Sequence, residues 1–515
     1  MESVLCTHFD TPEGRWSLVS EFTTEDAANQ FVPHIGLKLG GDDLSVGASV
    51  EPRPPTPPTA VSAKFNASST LMVSGGLMFS DSVPPVGGVK APHALANRPT
   101  HVMMFQAPHE PGAQPEPIEN SVSKSKPHGK GLVTKSTSSF VTRIITNENL
   151  ARWIVDSRTT YILFNAPKCF NVVGMQPDNR GETLARLDMS LASPTCYDVS
   201  SGTSRFDVVL GFVRGNIVWY EPVSGKYVRL NKNSGYAPAV VCVKWLPNSD
   251  TLFMVGMADG AVMIMDRTKD EFVVPQISHT HTVFATAETR PKTNPVSYWR
   301  VSQKPITSIE FSPDSQYVAV TSEDGMLRII DHQKEHLCDV YESYFGGLTC
   351  CAWSTDQKYV VTGGKDDLIT VWSYYDKCVV ARGQGHKSWV RSVAFDSVQY
   401  GATYRFFSVG DDAQLLVWDL SLAALHRPRT HTIRVAASPI NKSGTRVSLE
   451  NVPVQGTVHA RMPKDSVAVL QPLVAETIHD TPLCSLSITR DLLVTACRKG
   501  VVKVWKRPQP DTISA

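Results

Sequence analysis

From about residue 135 onward, short apolar runs alternate with polar turns, and the apolar positions follow the period of a strand rather than that of a helix. Residues 138–145, 161–165 and 169–173 are β-branched or aromatic runs of this kind, with a short helical interruption near 147–155. Further on, Val390-Arg391-Ser392-Val393-Ala394-Phe395 alternates, while Phe406-Phe407-Ser408-Val409 and Leu415-Leu416-Val417-Trp418 are nearly continuous apolar runs. Turn residues, chiefly Gly and Asp, separate them. Runs of this length and spacing predict an all-β chain.

The stretch 383–420 shows what the strands build. Gly385-His386 opens it and Trp418-Asp419 stands near its end, which is the pattern of one WD40 repeat. Four polar residues fall where a propeller blade needs a brace: His386 before the first strand, Ser408 on the second, Asp412 at the tight turn and Trp418 on the third. Linked by hydrogen bonds, they satisfy groups that would each cost roughly 1–3 kcal/mol if buried unpaired. Aligned on Trp418, the same slot recurs at Tyr220, Met265, Ile330 and Trp372. The turn position recurs at Arg214-Gly215, Asp259-Gly260, Asp324-Gly325 and Asp366, and Thr362, Asp366 and Trp372 form a second brace. Most separations in this series lie near the roughly 40–45 residues of one repeat. The long one carries a polar, proline-bearing insertion near 268–294. A last repeat over 479–506 supplies His479, Thr495 and Trp505, with Lys499 where the turn Asp is expected. Between Trp418 and Trp505 the chain is too long for one compact repeat, so either the last blade carries a long loop near 426–467 or an eighth blade lies there. The Ser, Asn, Gly and Pro content of 438–453 favours the loop. The expected fold is a seven-bladed WD40 β-propeller over 135–510.

Residues 1–134 differ. They hold sixteen of the 35 prolines and one of the ten tryptophans, which predicts a proline-rich, mostly disordered arm rather than blades. The run 51–58 should be extended, and 121–130 reads as a Ser/Lys-rich linker whose Lys124, Lys126 and Lys130 are either simply solvated or a nuclear-import signal, the first being favoured. Apolar islands at 16–19, 71–73 and 101–105 interrupt the arm. One of them is expected to pair with the propeller, because a closed ring commonly takes a strand from the N-terminal side to complete its last blade. The formal net charge of +1 gives no reason to expect nucleic acid or a membrane as partner. Ten scattered cysteines lack a metal-ligand rhythm and predict reduced thiols. With no apolar leader and no run long enough to span a bilayer, a cytoplasmic and also nuclear location is expected.

A search for catalytic chemistry finds one formal match, His332-Gln333-Lys334-Glu335-His336, an H-x-x-E-H pattern. Zinc peptidase chemistry needs both histidines on one helix face, and this pentapeptide follows the strand residues Ile329-Ile330-Asp331 at a turn. Gly383-Gln384-Gly385 precedes no helix, and neither a P-loop nor a nucleophile elbow is present. The sequence thus predicts no enzyme and no cofactor, and function is expected at the loops on the propeller's top face. Tyr344 and Phe345 lie in the loop leading into the fifth repeat, with Tyr344 in the place of the repeat's His. Lys387, Ser388 and Trp389 lie in the loop leading into the sixth. Phe345 and Trp389 are about one repeat apart, so they occupy nearly equivalent places on neighbouring blades. Either they form an exposed anchor for a partner, or both tuck under their own loops as caps.

The segments Asn294-Pro295-Val296-Ser297-Tyr298-Trp299, Ser343-Tyr344-Phe345-Gly346-Gly347, Val361-Thr362-Gly363-Gly364-Lys365-Asp366-Asp367-Leu368, Gly385-His386-Lys387-Ser388-Trp389-Val390 and Leu425-His426-Arg427-Pro428-Arg429 resemble the CreC family of fungi and its animal relatives, the dystrophia myotonica WD-repeat group. The resemblance covers about residues 135–506, and Pro12-Glu13-Gly14-Arg15-Trp16 is similar to the family's N-terminus. It implies a non-catalytic regulatory subunit of a CreB-like ubiquitin-specific protease, with room for a second WD40 activator, acting in carbon catabolite repression. It further implies that the pair at Phe345 and Trp389 contacts the protease. The alternative is a substrate receptor of a cullin ubiquitin ligase. Many such receptors carry Trp-Asp-x-Arg after a third strand, whereas Ser421 follows Trp418-Asp419-Leu420 here.

Overall fold

The computed structural model describes residues 6–23, 102–106, 132–135, 140–151, 160–166, 168–175, 182–190, 193–200, 206–232, 238–269, 271–273, 283–286, 293–398, 400–421, 425, 456–463 and 466–508. The expectations placed on 51–58, 71–73, 121–130 and 438–453 lie outside these residues.

Seven sheets stand around a ring, and from blade 2 round to blade 1 through the last blade the innermost strands of successive blades lie side by side. Blade 6 shows why the sequence reads as it does. Its strands Val390–Phe395, Tyr404–Gly410, Gln414–Leu420 and Val474–Thr477 pair antiparallel in that order. The second and third are covered on both faces by neighbouring blades, so Phe406, Phe407, Leu415, Leu416, Val417 and Trp418 are all fully buried. The first faces the central channel on one side, and there only Val390 and Val393 are buried. Continuous apolar runs thus mark middle strands and alternation marks inner ones. Blade 5 repeats the plan with Leu348–Trp353, Tyr359–Gly364, Leu368–Ser373 and Cys378–Gln384, and blade 4 with Ile306–Phe311, Tyr317–Ser322, Met326–Asp331 and His336–Glu342.

The ring closes through its last blade. Leu483–Ile488, Leu492–Cys497 and Val501–Lys506 come from the C-terminal side, and Gly14–Thr23 pairs antiparallel with Val501–Lys506 as the fourth strand. The apolar island at 16–19 is therefore the expected closing strand. Trp16 is fully buried, stacked on Phe9 of the hairpin strand His8–Thr11 and edge-on to Phe407 of blade 6. Arg507 lies over the Trp16 ring at 4.7 Å and is paired with buried Asp396 at 2.7 Å. Glu13 pairs with Arg405, whose other side meets Asp419 at 2.7 Å.

Three placements depart from expectation. The innermost strand of blade 1 is Val102–Gln106, from within the arm, followed outward by Thr160–Ala166, Cys169–Gly174, Thr183–Met189, Val141–Asn147 and Leu132–Lys135. The sheets therefore begin well before residue 135, and the expected strand at 138–145 lies fifth from the centre. The long segment after Trp418 belongs to blade 6, between its third and fourth strands, and not to the last blade. Its described end is not all loop: Thr457–His459 and Ala468–Leu470 pair parallel with the outer strands of blades 4 and 5. The shorter insertion sits at the same place in blade 3, where Val283–Thr286 adds to the outer edge of Ser297–Arg300.

Since Trp16 fills the seam between blades 6 and 7, Trp16→Ala is expected to lower stability by about 3–5 kcal/mol and to speed amide exchange across Val501–Lys506. Chemical denaturation and hydrogen exchange measure the two effects.

Candidate partner-binding face

The brace predicted for blade 6 has the following geometry. Trp418 Nε1 donates to Ser408 Oγ at 2.8 Å, His386 Nε2 lies 2.7 Å from the same oxygen, and His386 Nδ1 is 2.9 Å from Asp412 Oδ2. The Lys387 amide also donates to Asp412 at 2.9 Å. Burial alone would raise the Asp412 pKa, but the His386 hydrogen bond and charge outweigh it and hold the carboxyl below its ordinary value. In blade 5, Trp372 Nε1 donates to Thr362 Oγ1 at 2.9 Å, yet Tyr344 replaces the histidine. Asp366 then receives only backbone N–H groups, from Leu368 and Phe345 among others, and burial pushes its pKa up to about 6. Two carboxylates at one repeat position therefore shift in opposite directions, and the His partner decides which. Blade 4 uses Ser302 in the His place, 2.7 Å from Asp324. In blade 7, His479 meets Thr495 at 3.0 Å, with Lys499 in the acid's place, and burial followed by the Lys503 charge pulls the imidazole down to about 3.

The broken brace of blade 5 underlies an exposed loop. Ser343 Oγ donates to the Gly346 carbonyl at 3.1 Å, and the Lys365 amide donates to the Gly347 carbonyl at 2.9 Å. Gly346 has φ of +67°, and a Cβ on Gly347 would sit 2.9 Å from the Glu323 backbone, so both positions require glycine. This tight turn presents Phe345 to solvent at 71% exposure, while Tyr344 is half-buried beneath Arg382, whose guanidinium is 4.7 Å from the ring. On the neighbouring blade Trp389 is 41% exposed, Lys387 is exposed and Ser388 is half-buried. Phe345 and Trp389 are not tucked under their loops.

Charged residues that sequence reasoning missed hold Trp389 in place. Lys365 Nζ lies 4.9 Å and the Arg391 guanidinium 5.1 Å from its ring. Each such cation–π contact contributes about 0.5–1 kcal/mol at an exposed site. The position just before the turn acid reads Glu323, Lys365, Asp411 and Arg498 in blades 4 to 7, alternating in sign. Lys365 pairs with Glu323 at 3.0 Å, and Asp411 with Arg498 at 2.7 Å and with Arg391. The result is a belt of ion pairs across four blades, interrupted by Trp389. Alternation at one repeat position is visible in the sequence once the blades are aligned.

His332 opens the hairpin turn and His336 follows it, paired with Asp331 in the strand ladder, and His332 Nε2 bonds the Ser315 carbonyl at 2.8 Å. Among the described residues no group of three or more His, Cys, Asp and Glu side chains could hold a metal. None of their helices is long and apolar enough to cross a membrane.

Four-stranded blades around a ring, one of them with a Trp, a hydroxyl, a His and an acid linked in one chain of bonds, define a WD40 β-propeller, and this scaffold is the class of the protein. The model of the WD domain, G-beta repeat, matches residues 294–331, 337–373 and 377–419. Over 411 residues the chain is 33% identical to the UBP9-binding protein bun62 of Schizosaccharomyces pombe, covering 72% of this chain and 76% of that protein. It belongs to the family of WD-repeat proteins that includes bun62. A chain from the crystal structure of a mitotic checkpoint complex aligns over 85% of this chain and 99% of its own, at 14% identity and a TM-score of 0.47.

Asp366 and Asp412 give opposite predictions. The unfolded chain ionises a carboxyl near 3.8, so Asp366 loses stability as pH rises from there through about 6 and carries a fixed penalty above. Asp412, depressed, stabilises above the unfolded value and loses that as pH falls. Asp366→Asn is expected to raise the thermal midpoint at pH 8 and to raise it by less at pH 5, where only part of the penalty has built up. Asp412→Asn should lower it at pH 8, and scanning calorimetry at both pH values separates the two.

Proposed function

We propose that this propeller binds a ubiquitin-specific protease through the loops leading into blades 5 and 6, with Phe345 and Trp389 as anchors and Tyr344, Lys387 and Ser388 beside them. The observation that carries the reading is the exposure of these two aromatics, 71% and 41%, in the entry loops of adjacent blades. Buried aromatics at an interface centre dominate binding energy, and these are held by a glycine-fixed turn and a pair of cations, so little ordering remains to be done on docking. A relative whose name records binding to UBP9 supports a protease as the partner. The CreC-like segments suggest a CreB-like enzyme, with carbon catabolite repression as the setting in a fungus. Activation follows if the propeller binds the protease's competent conformation more tightly than its resting one.

The test compares Phe345→Ala, Trp389→Ala and the double variant with the wild-type chain for affinity and protease turnover. The double variant is expected to lose more than about 30-fold in affinity with its thermal midpoint kept. Wild-type affinity in the folded double variant would remove the site assignment. Recovery of a ubiquitin-ligase adaptor in place of a protease with the tagged chain would favour the ligase-receptor reading.

A further inference from the structure

The segment inserted into blade 6 returns along the outer edges of blades 4 and 5, and in doing so it reaches the Phe345 loop. Thr457–His459 runs parallel to the outer strand of blade 4, with Val458 opposite Val340 and His459 opposite Tyr341. His459 stacks on the Tyr341 ring at 4.6 Å and bonds Asp339 at 2.8 Å. A Cβ on Gly456 would lie 2.6 Å from the Leu337 carbonyl, so the limb approaches blade 4 as closely as a glycine allows. Beyond this anchor Met462 packs at the edge of the core shared by blades 4 and 5, and Ala468–Leu470 joins the outer strand of blade 5.

Arg461 lies between the two anchors. Its Nη1 donates to the Tyr344 carbonyl at 2.7 Å, and its guanidinium is 6.0 Å from the Tyr344 ring. One residue on, the Met462 carbonyl accepts from Arg382 Nη2 at 2.9 Å, and Arg382 is the cation that lies over the Tyr344 ring. Arg382 is almost wholly buried, and its Nε and Nη1 have no hydrogen-bond partner among the described residues. The limb thus supplies one bond to the Tyr344 backbone and one to the cation on its ring, and Tyr344 is the residue that displaced the histidine of the brace. Without that histidine the loop keeps only its backbone bond to the turn acid, the Phe345 amide on Asp366, whereas the equivalent loop in blade 6 has both the His386 ring and the Lys387 amide on Asp412.

We propose that the returning limb of the blade 6 insertion is a positioning element, and that Arg461 is the positioning residue that fixes the Tyr344–Phe345 loop and so the presentation of Phe345 to its partner. This rests on the reading that Phe345 anchors a ubiquitin-specific protease. Arg461 substitutes from outside for the missing histidine: it clamps the loop carbonyl that precedes Phe345, where His386 in blade 6 clamps the turn acid.

The experiment uses the full chain carrying Arg461→Ala or Arg461→Lys. Hydrogen exchange of the 343–347 amides is measured without partner, and affinity is then measured for the catalytic domain of a UBP9-type protease. Arg461 is exposed, so the thermal midpoint should stay close to that of the wild type. In Arg461→Ala the loop amides are expected to exchange several-fold faster and affinity to fall about three- to tenfold, with the lysine variant, which keeps a donor, in between. Unchanged exchange in the folded alanine variant overturns the proposal, as does faster exchange with wild-type affinity. If exchange responds but the wild-type chain itself binds no such protease, the loop-holding role stands and the protease reading falls.

Discussion

Everything in this molecule depends on one pairing of distant strands, Gly14–Thr23 against Val501–Lys506. A propeller has no edges in its ring only if the last blade is completed, and an incomplete blade would leave a row of unpaired backbone groups beside a half-covered core. Trp16, Phe9 and Trp505 fill that seam, and Glu13 and Arg507 tie it to blade 6 through Arg405 and Asp396. The faces of the blades are held at fixed spacing by this closure, and the loops on those faces inherit their geometry from it.

Within the ring, the hydrogen-bonded brace is a theme that the blades vary, and the variations carry the functional information. Blade 6 has the full set and a depressed Asp412; blade 5 has lost the histidine and has a raised Asp366. The lost bond leaves the loop above Asp366 to be fixed by other means, namely two glycines, the Ser343 hydroxyl and the guanidinium of Arg461. That loop carries the most exposed aromatic among the described residues. The Ser, His and Asp of blade 6 match a hydrolase triad in composition alone. Ser408 and His386 are buried and satisfied, and Ser408 already accepts the Trp418 indole N–H.

The middle strands of blade 6 are plain in the sequence because they are buried on both faces and read as nearly unbroken apolar runs. Outer strands are not. Val474–Thr477 completes blade 6 with three of its four residues exposed, so no hydrophobic period marks it, and the insertion before it reads as part of the following blade. Val102–Gln106 reads as an isolated apolar island in a proline-rich stretch, far from the strand Thr160–Ala166 that it pairs with. The aromatics of the site are legible because they stand in loops where a core has no use for them. Their supports are not, since Arg498 reaches Asp411 across 87 residues and Arg461 reaches Tyr344 across 117. Such contacts exist only once the blades are side by side.

The closing pair also sets the order of events during synthesis. Gly14–Thr23 is made among the first strands and its partner among the last, so at about 5–20 residues per second the early strand waits on the order of half a minute or more. Contacts so far apart in sequence are slow to form, because loop-closure entropy must be lost before they can stabilise anything. Blades 2 to 6, each built largely from consecutive strands, have no such wait. Closure of the ring thus needs both ends of the described chain to have been made, and until then the apolar face of the hairpin carrying Phe9 and Trp16 has no strand to pack on in blade 7.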